Sequence, residues 1–137
     1  MSRRGVVLFA HGSRDPLWRA PMEAVAQRAA ALDPHATVAC AYLELTEPDL
    51  PTVCAGMVNS GVQHITIVPM FLGVGKHARE DLPQLVANLR QQHPLVQFEL
   101  QSAVGEHPAV VDLLARLSVG DVVGPAADTV TTHARPQ

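Results

Sequence analysis

Cysteine is scarce in this chain. Cys40 and Cys54 are the two it has, and the absence of any C-x-x-C spacing excludes a thiolate-pair motif and predicts two buried thiols in a reducing compartment. Long apolar runs are also missing. No stretch approaches the ~20 residues that a membrane-spanning helix needs. The apolar run after Arg3-Arg4 covers only about six residues, too few for a signal peptide. Both absences predict a soluble, cytoplasmic protein without a membrane partner. Net charge is −3, and the ten basic residues are scattered from Arg3 to Arg135, which excludes a basic nucleic-acid stripe. Several enzyme signatures are lacking as well. Gly73-x-Gly75 has no third glycine and follows a third strand, and neither a P-loop nor a G-x-S-x-G elbow occurs. His11-Gly12 lacks the preceding arginine of the phosphohistidine phosphatases.

What is present suits one compact domain: 137 residues, 47% of them hydrophobic. Strand and helix patterns alternate. A first strand is predicted over Arg4 to Ala10, then an amphipathic helix from about Leu17 with Trp18, Met22, Val25, Ala29 and Leu32 on one face, closed by Asp33-Pro34. Thr37 to Leu45 reads as the second strand. Asp49 is a good N-cap for a helix carrying Leu50, Val53, Cys54, Met57 and Val58, which ends at Asn59-Ser60-Gly61. Ile65 to Leu72 is short, β-branched and bounded by breakers, hence a buried strand. Gly73 and Gly75 let the backbone turn tightly or approach a ligand, and Asp81-Leu82-Pro83 reads as the start of the third helix. Val96, Phe98 and Leu100 alternate with polar residues as in an edge strand, and a last helix begins near Pro108 with Val111, Leu114 and Leu117 on one side. The pattern predicts an α/β fold, a single open, mostly parallel four-stranded sheet with helices on both faces, over residues 1–119, followed by a loose tail over 120–137.

Two of the predicted strands end in a histidine. Val6 to Ala10 empties into His11-Gly-Ser-Arg-Asp-Pro16, and the third strand leads through its glycines to His77. The carboxyl edge of an open α/β sheet is where ligands bind, and parallel neighbours would bring His11 and His77 to the same edge. The other histidines, His35, His64, His93, His107 and His133, precede prolines or lie in connecting segments and the tail, and are read as structural. Ser13 is read as a cap for the helix that follows Pro16.

His11-Gly-Ser-Arg-Asp-Pro16, Glu44-Leu-Thr-Glu-Pro-Asp-Leu50, and Val68-Pro-Met-Phe-Leu72 leading to Gly75-Lys-His77 with Asp81-Leu-Pro83 stand in order, each at a predicted strand end. Together they resemble the small sirohydrochlorin cobaltochelatases, the CbiX-like members of the class II chelatases, over about Val6 to Leu117. The resemblance implies a chelatase-like, flavodoxin-like half-domain. It implies a lyase-type enzyme that inserts a divalent metal, cobalt first and nickel or ferrous iron as alternatives, into sirohydrochlorin or a related tetrapyrrole on a cobalamin- or siroheme-type route. No cofactor would be permanently bound. His11 and His77 match the family's metal-binding histidines, and His11 matches its proton acceptor. Glu47 is taken as the acidic residue that contacts substrate, with Glu44 as its rival, and Leu72, Gly73, Val74, Gly75 and Lys76 match the loop lying against the macrocycle.

Neutral imidazole suits the chemistry, since it both holds Co(II), Ni(II) or Fe(II) and accepts protons near neutral pH. Arg14, Lys76 and Arg79, with backbone N–H groups near Leu17 and Leu82, are candidate donors for the substrate's carboxylates. With few aromatic residues, the ring would pack mainly on aliphatic side chains. Many relatives carry two such domains in one chain, so the resemblance implies a homodimer. A carrier that binds metal or tetrapyrrole without turnover is the alternative reading, and a degenerate scaffold domain a third.

Overall fold

Val7, Leu8, Phe9 and Ala10 are all buried, and the strand they belong to, β1 (Arg4–Ala10), lies inside the sheet with neighbours on both sides. The computed structural model describes residues 3–122. After β1 come α1 (Ala20–Leu32), β2 (Ala36–Tyr42), α2 (Leu50–Asn59), β3 (His64–Pro69), α3 (Lys76–Gln92), β4 (Gln97–Leu100), a 3-10 turn (Val104–Glu106) and α4 (Pro108–Ser118). The expected tail lies, from residue 123 on, outside the described residues.

The strand order is β2-β1-β3-β4 and every pairing is parallel. Register pairs Ala10 with Tyr42 and Phe9 with Pro69, so three strands end level at one edge. β1 and β3 are neighbours, as the histidine argument requires. β4 alternates exposed and buried positions at the sheet margin, as its sequence predicts.

Helices α2 and α3 cover one face, where Ile65, Ile67, Leu50, Cys54, Leu82 and Val86 form the larger core. Each such side chain taken from water contributes about 1.5–3 kcal/mol. Helix α1 covers part of the other face, over Leu8, Ala10, Met22 and Tyr42. Only Met22 of its predicted apolar stripe is buried; Val25 and Leu32 face outward. Helix α4 begins at Pro108 as expected, capped by His107 Nδ1, which accepts from the Ala109 N–H at 3.0 Å. It buries no side chain.

Four boundaries differ from the sequence reading. Strand β3 ends at Pro69 rather than Leu72. Helix α1 starts at Ala20 rather than Leu17, because Asp15 Oδ1 takes the Leu17 N–H in a tight turn at 2.9 Å. Ser13 Oγ likewise accepts from the Asp15 N–H, so it stabilises that turn and does not cap the helix. Strand β2 stops at Tyr42, whose N–H donates to the Pro48 carbonyl at 3.0 Å and closes the following loop. Helix α3 starts at Lys76, with extended Gly75 as N-cap, and Pro83 lies inside it. An interior proline costs about 3 kcal/mol or more. The buried row Leu82, Val86 and Leu89 is what offsets that cost, and a local rule about prolines does not see it.

Candidate functional site

The first residue past β1 is His11, and its ring stacks on that of Phe71, centroids 4.3 Å apart and planes at 29°. Phe71 is buried just past β3, where the Met70 N–H donates to the Phe9 carbonyl at 2.7 Å. His77 enters from the first turn of α3 rather than from a loop. Both histidines line one cavity of about 240 Å³, walled by Phe9, Leu43, Phe71, Leu82 and Leu85, with Gly75, Lys76 and Asp81 at its polar side. Both histidines thus border a mainly apolar recess at the carboxyl edge of the sheet. Among the described residues no three His, Cys, Asp or Glu side chains converge closely enough to hold a metal ion by themselves.

Two loops are locked around His11. The Leu43 N–H donates to the Ala10 carbonyl and the Glu44 N–H to the His11 carbonyl, both at 2.9 Å. Thr46 Oγ1 donates to the Ser13 carbonyl at 2.7 Å and accepts from the Ser13 N–H at 2.8 Å. Gly12 has φ +109°, and a Cβ there would stand 1.7 Å from the Glu44 carbonyl oxygen. Leu45 holds φ 65°, a left-handed conformation uncommon for a residue with a side chain.

The two glutamates part company. Glu44 follows Leu43, a cavity wall, and its backbone is bonded to His11. Glu47 lines a separate cavity of about 500 Å³ with Arg19, Glu23, Cys40 and Tyr42. The loop folds back on Tyr42 through Pro48 and Asp49, and that return carries Glu47 away from the histidines. In that second cavity burial is the main influence on Tyr42, aided by Cys40, and pushes its hydroxyl up to about 12. Burial also raises the Cys40 thiol.

In the loop after β3, Gly75 and Lys76 face the cavity, Val74 packs on the core, and Leu72 is 70% exposed. Within the protein itself, the close backbone approach falls elsewhere. A Cβ on Gly73 or Gly75 would meet nothing, whereas one on Gly105 would stand 1.9 Å from the Leu72 carbonyl oxygen. The Gly105 N–H donates to the Phe71 carbonyl at 2.9 Å, so the 3-10 turn backs this loop. Of the proposed cations, Lys76 lines the cavity, Arg79 is bonded to the Val74 carbonyl at 2.8 Å, and Arg14 is exposed outside it. The N–H groups near Leu17 and Leu82 are not free donors, the first being taken by Asp15 and the second lying within α3. Leu17, Leu43, Leu45 and Leu72 form an exposed apolar series on the loops of this edge.

Sequence reasoning missed Phe71, Thr46 and Asp81. Asp81 was legible in principle, because it stands four residues after His77, a spacing that shares a helix face once the helix starts at Lys76.

Among the described residues no helix is long and apolar enough to cross a membrane. A sirohydrochlorin cobaltochelatase of Methanopyrus kandleri is 36% identical over 81 residues, 59% of this chain and 57% of that protein. A sirohydrochlorin ferrochelatase of Bacillus subtilis is 31% identical over 70 residues, 51% of this chain and 27% of that one. The chain thus spans less than two thirds of the length of these curated relatives. Among solved structures, a cobalamin (vitamin B12) biosynthesis CbiX protein from Marinobacter aquaeolei superimposes with a TM-score of 0.74 at 34% identity, covering 86% of this chain and 95% of that one. The sirohydrochlorin chelatase SirB from Bacillus subtilis subspecies spizizenii, in complex with cobalt, gives 0.72 at 25% identity, over 87% of this chain and 51% of SirB. A family model described as CbiX matches residues 5–119, the whole run from β1 through α4, and the chain belongs to the CbiX family.

Proposed function

We propose that this protein is a chelatase that inserts a divalent metal ion, Co(II) first and Fe(II) or Ni(II) as alternatives, into sirohydrochlorin or a related tetrapyrrole. The observation that carries the reading is the pair His11 and His77 on one apolar cavity, neither ring hydrogen-bonded among the described residues. In the reaction two pyrrolic N–H protons leave and one M²⁺ takes their place. His11 and His77 hold the incoming ion through ring nitrogens, and the two imidazoles freed as the ion moves take one proton each. A set of two neutral ligands grips loosely, which suits an ion that must be handed on.

The cavity of about 240 Å³ has room for an ion that keeps some of its water. The macrocycle lies across the rim, over Leu17, Leu43, Leu45 and Leu72, with Lys76 toward a carboxylate. Glu44, bonded by its backbone to His11, takes the acidic role in preference to Glu47.

The working unit is a homodimer with its α/β body over residues 1–119. Two copies of this chain would match one SirB chain, of which a single copy covers 51%. Helix α4 supports the same reading, since Val110, Leu113, Leu114 and Leu117 repeat at helical spacing and none is buried. Leu114→Glu with Leu117→Glu converts a dimer to a monomer in sedimentation equilibrium if α4 is the interface. The two free thiols, Cys40 and Cys54, support a cytoplasmic setting.

The deciding experiment is anaerobic absorbance of sirohydrochlorin with protein and Co(II), Ni(II) or Fe(II), against metal-only blanks and His11→Ala and His77→Ala. Multiple turnovers lost in both variants are expected. A change that stops at one equivalent makes the protein a carrier, and no response to any metal overturns the substrate.

A further inference from the structure

We propose that Asp81 is a positioning residue of the metal site, which accepts hydrogen bonds from water on the ion held by His11 and His77. The inference rests on the chelatase reading of that cavity and adds a residue to it. Helix α3 turns Ala78, Asp81, Leu82 and Leu85 toward the cavity, so the Asp81 carboxylate is one turn from His77 on the same wall. It forms no hydrogen bond or ion pair among the described residues, while the nearby Arg79 is bonded to the Val74 carbonyl.

Geometry separates two ways in which a carboxylate serves an ion. Direct ligation beside both histidines is not the arrangement seen, because no such trio converges among the described residues. A hydrated ion, however, keeps water on its open positions, and the cavity has room for that water. A carboxylate at the wall then accepts from the aqua ligands and offsets a charge that two neutral imidazoles leave whole. Most of the remaining wall is apolar, so few other groups are there to accept from that water. Contact through water also leaves the ion free to shed that shell on transfer.

The test is a titration of the full chain with Co(II), followed anaerobically by its visible absorption without tetrapyrrole. Loss of a carboxylate that orients a metal shell costs 10–100-fold in affinity. Asp81→Asn should weaken Co(II) binding by about that factor, and Asp81→Glu should recover most of it. A purely structural Asp81 would leave the affinity unmoved, since the asparagine has the same shape and the site is exposed. Co(II) binding by Asp81→Asn within about twofold of wild type, with His11→Ala and His77→Ala both deficient, overturns the role of Asp81 alone. A wild-type protein that takes up no Co(II) overturns this inference and the histidine site together.

Discussion

Thr46 and Ser13 exchange two hydrogen bonds through a single hydroxyl, which donates to the Ser13 carbonyl at 2.7 Å and accepts from its N–H at 2.8 Å. One side chain on the loop after β2 thereby fixes the backbone of the loop after β1, two residues from His11. Thr46→Val keeps the shape and removes both bonds. It leaves a half-buried N–H and carbonyl without partners, and each such group costs about 1–3 kcal/mol when fully desolvated. The expected outcome is a lower urea midpoint and weaker Co(II) uptake, with helix content unchanged by circular dichroism. Wild-type Co(II) affinity in this variant would separate the lock from the site.

Gly12 makes the neighbouring crossing possible. Its φ of +109° disfavours any side chain, and the Glu44 carbonyl occupies the place of a Cβ. Gly12→Ala should cost at least about 1–3 kcal/mol in chemical unfolding and displace the 43–46 loop. Gly73→Ala, where a Cβ meets nothing, should change stability little, and comparing the two variants isolates the effect of the crossing.

Alkaline pH should weaken the fold through Cys54 and Tyr42. Burial raises the Cys54 thiol from its ordinary 9.0 to about 12 and, with Cys40, raises the Tyr42 hydroxyl from 10.0 to about 12. The folded state keeps these protons where the unfolded state loses them. Their contribution is therefore complete below about pH 9 and is lost progressively as pH rises to about 12. Urea midpoints measured across that range should fall, and Cys54→Ala should flatten the first part of the decline. Cys54 should also resist a thiol reagent until the chain unfolds, being fully buried.

Acid acts through Asp49. Hydrogen bonding by Thr52, the side chain first and the backbone N–H second, holds its carboxyl below the ordinary 3.8. That stabilisation is present above the unfolded value and lost as pH falls through the lower folded one. Asp49→Ala should cost about 0.5–2 kcal/mol at neutral pH as a lost N-cap. Asp49→Asn should retain most of the cap and make the acid limb of the stability curve shallower.

Much of the architecture can be read from neighbouring residues. The apolar run ending at Ala10, the alternation from Val96 to Leu100, and the helix starts at Asp49 and His107 are each settled within a few positions. Pro83 misleads for the same reason. A proline marks a helix start by local rule, whereas burial of Leu82, Val86 and Leu89 against distant strands carries α3 through it from Lys76.

By itself, then, the sequence determined the strand–helix alternation and the histidine that follows the first strand, because hydrophobic period and turn chemistry act over short spans of chain. Only the tertiary structure decided that Phe71 backs His11, that Asp81 shares its cavity, and that Glu44 stays beside it while Glu47 turns away. Those outcomes depend on the register of β1 against β2 and β3 and on which backbone crosses Gly12. Both are set by packing between segments far apart in the chain.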